Sequence, residues 1–258
     1  MSEPVSRRWL LGLCLGAGAV AACSTPPQTQ PRAAPGTSTS TSARPVAPPS
    51  SSTPSAQPTG PATEVVRGTS GRPQLALTFH GAGDLALARQ VFDLLGKRGA
   101  RVTVLAVGTW LEASPDAAKL VVDGGHELGN HTWSHPALSG YSAEPMYAEI
   151  QRCRDKLVEL TGSPGAFFRQ SQGQRATRGE LEQAGRAGYR RVLSYDVDSL
   201  DWRDPGAAAI RSAVKAATAG SVVSMHFGHP GTLTALPGIL DDLAGRGLTA
   251  VTASELLA

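Results

Sequence analysis

Two histidines four residues apart, His131 and His135, lie in the run Gly125-His126-Glu127-Leu128-Gly129-Asn130-His131-Thr132-Trp133-Ser134-His135, which is too polar for a packed core. One helical turn brings positions i and i+4 onto the same face. Two imidazoles so placed can each aim a ring nitrogen at one divalent ion. Surface or capping histidines show the same bare spacing, so the flanking residues carry weight. Further along, Asp198-Ser199-Leu200-Asp201-Trp202 sets carboxylates beside an aromatic ring, and Ser221-Val222-Val223-Ser224-Met225-His226 ends an apolar run on an isolated histidine. A carboxylate near an imidazole raises its pKa and fixes its tautomer, which suits a proton carrier. His80 and Asp84, within Thr78-Phe79-His80-Gly81-Ala82-Gly83-Asp84, and Arg169, within Phe167-Phe168-Arg169-Gln170-Ser171, complete the candidates.

The elements that must position these groups alternate. Apolar runs and β-branched residues predict strands over 74–79, 101–107, 127–129, 166–169, 189–195, 221–226 and 248–251. Helical spacing predicts helices over 85–97, 115–123, 143–160, 178–187, 206–217 and 236–244, with a short C-terminal helix from 254. Strand-then-helix order of this kind implies a parallel sheet covered by helices. With about seven such units the sheet is expected to curl into a single distorted (β/α) barrel. Catalytic groups in such barrels sit on the loops after the strands. His80, His131, Arg169, Asp198, Asp201 and His226 all fall at or just after the end of a predicted strand.

These motifs resemble those of the polysaccharide deacetylases, the NodB-homology domains of carbohydrate esterase family four. The run from Gly125 to His135 is similar to the family's second motif, Gly-His-Glu-x-x-x-His-[Ser/Thr]-x-x-His, and the resemblance implies that His131 and His135 bind metal. Asp198 to Trp202 resembles the fourth motif, Asp-x-x-Asp-Trp, in which the second Asp tunes a catalytic histidine and the Trp walls the substrate groove. Those roles would fall to Asp201 and Trp202. Ser221 to His226 resembles the fifth motif, with Met225 for the usual Leu, and puts His226 on the position of the general acid. Arg169 stands on the arginine of the third motif, Arg-x-Pro, which orients the catalytic aspartate; the Pro is absent here. His229, in Gly228-His229-Pro230-Gly231, has no counterpart in the family pattern and is expected in a turn near the rim.

The first motif departs from the pattern. The family carries Thr-Phe-Asp-Asp-Gly, the first Asp being the general base and the second the third metal ligand. This chain has His80 and Gly81 at those places. Catalytic zinc sites usually have three protein ligands. Two repairs are open: His80 reaches the metal and Asp84 is the base, or Asp84 is the ligand and His80 the base. Asp84 also stands where it would cap the helix from Leu85.

Residues 1–23 read as an export signal: Arg7 and Arg8 precede an apolar run from Trp9 to Ala22, too short to span a bilayer, and the pattern is similar to a twin-arginine signal. Val20-Ala21-Ala22-Cys23 resembles a bacterial lipobox, so Cys23 is the expected lipid site and membrane attachment. Residues 24–63, rich in Ser, Thr, Pro and Ala, read as a disordered tether that could reach about 120 Å in extended form. Over residues 64–258, 20 Lys and Arg balance 20 Asp and Glu, and no basic stripe points to nucleic acid. Cys153 stands alone in a helical pattern, so no disulfide forms within the folded part.

The resemblance therefore implies a monomeric, exported lipoprotein on the outer face of the cytoplasmic membrane. It would remove N-acetyl groups from a cell-wall glycan such as peptidoglycan, with a divalent metal of the zinc kind. The alternative is a NodB-fold lipoprotein that binds wall glycan without turnover, as the altered first motif would allow.

Overall fold

The computed structural model describes residues 60–258. The expectations for residues 1–59, including the export signal, Cys23 and most of the tether, lie outside the described residues. The parallel strands are β1 (Thr63–Val65), β2 (Gln74–Gly81), β3 (Thr103–Ala106), β4 (Glu127–Asn130), β5 (Phe167–Phe168), β6 (Arg191–Leu193), β7 (Val197–Asp198), β8 (Val222–His226) and β9 (Thr249–Ala250). They form one sheet in the order β1-β6-β5-β4-β3-β2-β8-β7, with β9 beside β2. The helices are α1 (Leu85–Lys97), α2 (Gly108–Ala113), α3 (Asp116–Asp123), α4 (Ala143–Thr161), α5 (Arg178–Arg186), α6 (Ala207–Val214), α7 (Pro230–Gly245) and α8 (Ala253–Leu256).

The sheet is curled, and its side chains show why. Ala76, Leu105, Phe167, Leu193 and Val222 come from five different strands, yet they pack into one buried cluster closed by Val251, Ala253 and Leu256. A flat sheet could not bring them together. The opposite face carries the larger core, where Phe79, Val104 and Met225 meet the inner faces of α1, α3 and α7. The curl is not closed by strand pairing, since β1 and β7 end the order without bonding each other.

The expected (β/α) barrel is present, with differences that have physical causes. β1 and β7 span only three and two residues, too few to show a period. α7 begins at Pro230, six residues earlier than its apolar spacing suggests, because Pro230 presets the first helical turn. Residues 60–63 belong to the fold rather than to the tether: the Ala62 amide donates to the Leu181 carbonyl at 2.8 Å, and Thr63 pairs with Arg191. Their Gly-Pro-Ala-Thr composition conceals a strand whose stability comes from its neighbour. No described helix is long and apolar enough to cross a membrane.

Candidate active site

The chain leaves β4 at Asn130 through a loop, not a helix, which corrects the expectation that His131 and His135 share a helical face. Thr132 and His135 take positive φ values of 70° and 60°. That region is uncommon for any residue but glycine and unusual for a β-branched one. Side chains hold the loop there. Asn130 Oδ1 accepts from the Thr132 amide at 2.9 Å, and Thr132 Oγ1 accepts from the His135 amide at 3.1 Å. The Glu149 carboxylate, on α4, accepts from both the amide and the hydroxyl of Ser134 at 2.8 Å. Asn130 is itself anchored through Nδ2 to the Ile150 carbonyl and the Tyr189 hydroxyl.

This loop brings the two histidine rings together, with Nε2 atoms 3.1 Å apart. His131 Nδ1 lies 3.0 Å from the Arg169 carbonyl. A carbonyl only accepts, so Nδ1 holds the proton and Nε2 keeps its lone pair. His80 joins them from β2. Its ring centroid is 4.0 Å from that of His131 and 4.2 Å from that of His226, its register partner on β8. His80 Nδ1 is buried and has no hydrogen-bond partner. One ring nitrogen from each of His80, His131 and His135 fits within a mutual distance of 4.8 Å.

Burial is the main cause holding all three imidazoles below the ordinary histidine pKa, His80 and His131 furthest, and each is lowered further by at least one neighbouring histidine. They are therefore neutral at neutral pH, as metal ligands must be. Three neutral imidazoles, one with its tautomer set by a carbonyl and one with an orphaned buried nitrogen, fit a divalent ion of the zinc class.

Beside this cluster stands a histidine–carboxylate dyad. His226 Nδ1 is 2.7 Å from Asp201 Oδ1, and the His226 amide donates to Asp201 Oδ2 at 2.8 Å. Thr232 Oγ1 donates to the same oxygen at 2.7 Å. Burial by itself would raise the Asp201 carboxyl, but the bonds from His226 and Thr232 outweigh it and leave the pKa below the usual value. The ionised carboxylate accepts Nδ1–H, which leaves His226 Nε2 free. His80, His135, Tyr195, Asp198, Trp202 and His226 face one open cleft of about 510 Å³. Trp202 is half-exposed, and its Nε1 donates to Asp198 Oδ2 at 3.3 Å, so its ring forms part of the wall rather than the core.

The family model described as polysaccharide deacetylase matches residues 67–192. A peptidoglycan-N-acetylglucosamine deacetylase of Bacillus cereus is 34% identical over 194 residues, covering 71% of this chain and 87% of that protein. The chain belongs to the polysaccharide deacetylase family. The solved Bc1960 peptidoglycan N-acetylglucosamine deacetylase superposes with a TM-score of 0.70 at 27% identity, over 75% of this chain and 92% of that one. A family-four pseudoenzyme from Bacillus anthracis has a TM-score of 0.71 at 22% identity, over 76% of this chain and 69% of that one, a likeness of fold alone. Polysaccharide deacetylases are hydrolases acting on amide bonds and are metal-dependent in general.

Within this polysaccharide deacetylase, two expectations change and the reading of Gly81 gains a packing reason. Asp84 joins neither the histidine cluster nor the cleft; its carboxylate caps α1, accepting from the Ala86 amide at 2.8 Å. Its side chain satisfies one of the orphan N–H groups of the helix. Arg169 has no aspartate to orient. It is fully buried, its guanidinium donates to the Leu193 carbonyl at 2.6 Å and Thr78 Oγ1 at 2.8 Å, and burial lowers its pKa to about 9. Its contribution to the site is the carbonyl on His131. Gly81, at the family's ligand position, cannot bear a side chain: a Cβ there would meet Trp110 at 2.9 Å and Ala106 Cα at 3.0 Å. β2 runs on through Gly81, so His80 faces the cleft and position 81 faces the core.

The single cysteine of the described residues behaves as expected of a packed helix residue. Cys153 is buried, donates to the Ala106 carbonyl at 3.3 Å, and has its pKa pushed up to about 12 by burial. Glu149 and Tyr195 are not marked as site residues by the sequence, and Asp198 is placed at a strand end without a role of its own. Glu149 lies on a long polar helix face with nothing to mark it. Asp198 stood in the Asp-x-x-Asp motif, the one signal available.

Proposed function

We propose that this protein removes N-acetyl groups from N-acetylglucosamine units of a cell-wall glycan of the peptidoglycan class. The observation that carries the reading is the Asp201–His226 dyad, whose histidine is the register partner of His80 in the three-histidine cluster. His80, His131 and His135 would hold a divalent ion such as zinc, which when bound polarises an acyl carbonyl and acidifies water. With Asp84 committed to a helix cap and His80 to the cluster, proton transfer falls to His226. Its Nε2 takes the proton of the attacking water and returns it to the leaving amine. Asp201 keeps the ring in the required tautomer and stabilises the imidazolium between the two transfers. Trp202 offers the sugar a face to stack on.

The test is acetate release from N-acetylglucosamine oligomers by zinc-loaded protein, with and without a chelator. Release that the chelator stops and that His226→Ala lowers by about 10²–10⁴-fold supports the reading. The fold by itself does not decide turnover, since the Bacillus anthracis fold neighbour is called a pseudoenzyme. Glycan binding without release of acetate would make this protein a binding lipoprotein instead.

The location belongs to the same proposal. Arg7-Arg8, the apolar run and Val20-Ala21-Ala22-Cys23 support export and lipid attachment at Cys23, with the tether letting the domain sample the wall. Cys23→Ser should leave the membrane fraction or remain unprocessed. Unchanged fractionation of that variant would remove the lipid site from the account.

A further inference from the structure

A second histidine–carboxylate pair repeats the spacing of the first. Asp201 and Asp204 are three residues apart, as are His226 and His229, and His229 Nδ1 lies 2.9 Å from Asp204 Oδ1. Both carboxylates come from one tight turn, Asp201–Arg203, flanked by Leu200 at φ 58° and Asp204 at φ 51°. Left-handed conformations at non-glycine residues are strained and tend to cluster where a site requires them.

The pair links the turn to the start of α7. His229 occupies the N-cap position of α7, yet its side chain makes no capping bond. Its ring instead faces the cleft that His226 and Trp202 line. The ring centroids of His226 and His229 are 5.8 Å apart, which sets His229 beside the proton carrier and not on the reacting group. A carboxylate oxygen accepts, so in the neutral imidazole Asp204 takes Nδ1–H and His229 Nε2 is left as the acceptor toward the cleft. A glycan hydroxyl is a donor of the kind such an acceptor binds.

We infer that His229, oriented by Asp204, accepts a hydrogen bond from a hydroxyl of the sugar adjoining the unit that is deacetylated. It thereby favours oligomers over single sugars. The inference rests on the deacetylase reading for its substrate class, and direct binding separates the two.

Binding and turnover of tetra-N-acetylchitotetraose and of N-acetylglucosamine are measured for wild type, His229→Ala and Asp204→Ala, all in the zinc-loaded form. His229→Ala should raise Kd and KM for the tetramer about three- to tenfold, the worth of one hydrogen bond. Turnover number should stay within about twofold, and the single sugar should be unaffected. Asp204→Ala, at an exposed position, should shift the tetramer in the same direction by less. Tetramer binding that depends on His229 without any acetate release overturns the deacetylase reading and keeps the subsite. An equal change for both sugars, a fall in turnover number at constant KM, or no change at all overturns the subsite. Wild type that neither binds nor cleaves the tetramer overturns both.

Discussion

The Nε2 atoms of His131 and His135 lie 3.1 Å apart because the loop between them turns through two left-handed residues, Thr132 and His135. A helical turn would have brought the same two residues to one face by a different route. The loop is the more demanding solution, since its conformation depends on side chains from elsewhere.

The dependence on Glu149 can be measured. Its carboxylate holds Ser134 through two bonds of 2.8 Å, and without them the loop is free to relax. Glu149→Ala should weaken zinc affinity about 10–100-fold, the usual effect of losing a group that orients ligands. Competition with a chromogenic chelator reads this directly. An unchanged affinity would mean the loop keeps its shape unaided.

His80 and Asp84 should part company. His80→Ala removes one of three ligands, so both stoichiometric zinc and acetate release should be lost. Asp84→Ala should retain both and lose about 1 kcal/mol of stability, as for a helix N-cap. Metal analysis with chemical denaturation distinguishes them. Retained zinc in His80→Ala together with lost zinc in Asp84→Ala would reverse the assignment.

Asp201→Asn should leave zinc content intact and lower turnover by roughly 10²–10⁴-fold. An amide in that place can present a donor to Nδ1 and so favour the wrong tautomer of His226. The comparison with His226→Ala is informative: if the two residues act as a unit, the double variant should be no slower than the worse single one.

His126 offers a test of acid stability away from the metal site. It is stacked on Phe92, and burial, with a smaller contribution from the Arg101 charge, lowers its pKa to about 4. The unfolded chain, with an ordinary value of about 6.5, takes up the proton first as pH falls. Stability from this group is therefore present above about pH 6.5 and declines towards pH 4. His126→Gln keeps an acceptor for the Val102 amide but cannot titrate. Urea unfolding at pH 7 and pH 4.5 should show a smaller loss for the variant than for wild type; equal losses would contradict the cause given.

Sequence by itself determined the architecture and most of the site. Regular period and terminal residues marked α1 from Leu85 to Lys97 to the residue, and apolar runs placed four of the five strands whose ends carry the candidate groups; the fifth, β7, has only two residues and left no periodic signal. The histidine pair, Asp201, Trp202 and His226 were legible because their spacing follows local motifs. Tertiary structure decided what depends on groups distant in the chain. The role of His80 turns on which way β2 faces at its end, and on Trp110 and Ala106 closing the space at Gly81. The tautomer of His131 depends on a carbonyl thirty-eight residues away, and the pairing of His229 with Asp204 on two loops twenty-five residues apart. Asp84 could have been base, ligand or cap by sequence, and the structure uses its carboxylate as a cap on the Ala86 amide. Local composition encodes which elements form; the partners of a polar side chain depend on how the sheet curls, and no residue type states that in advance.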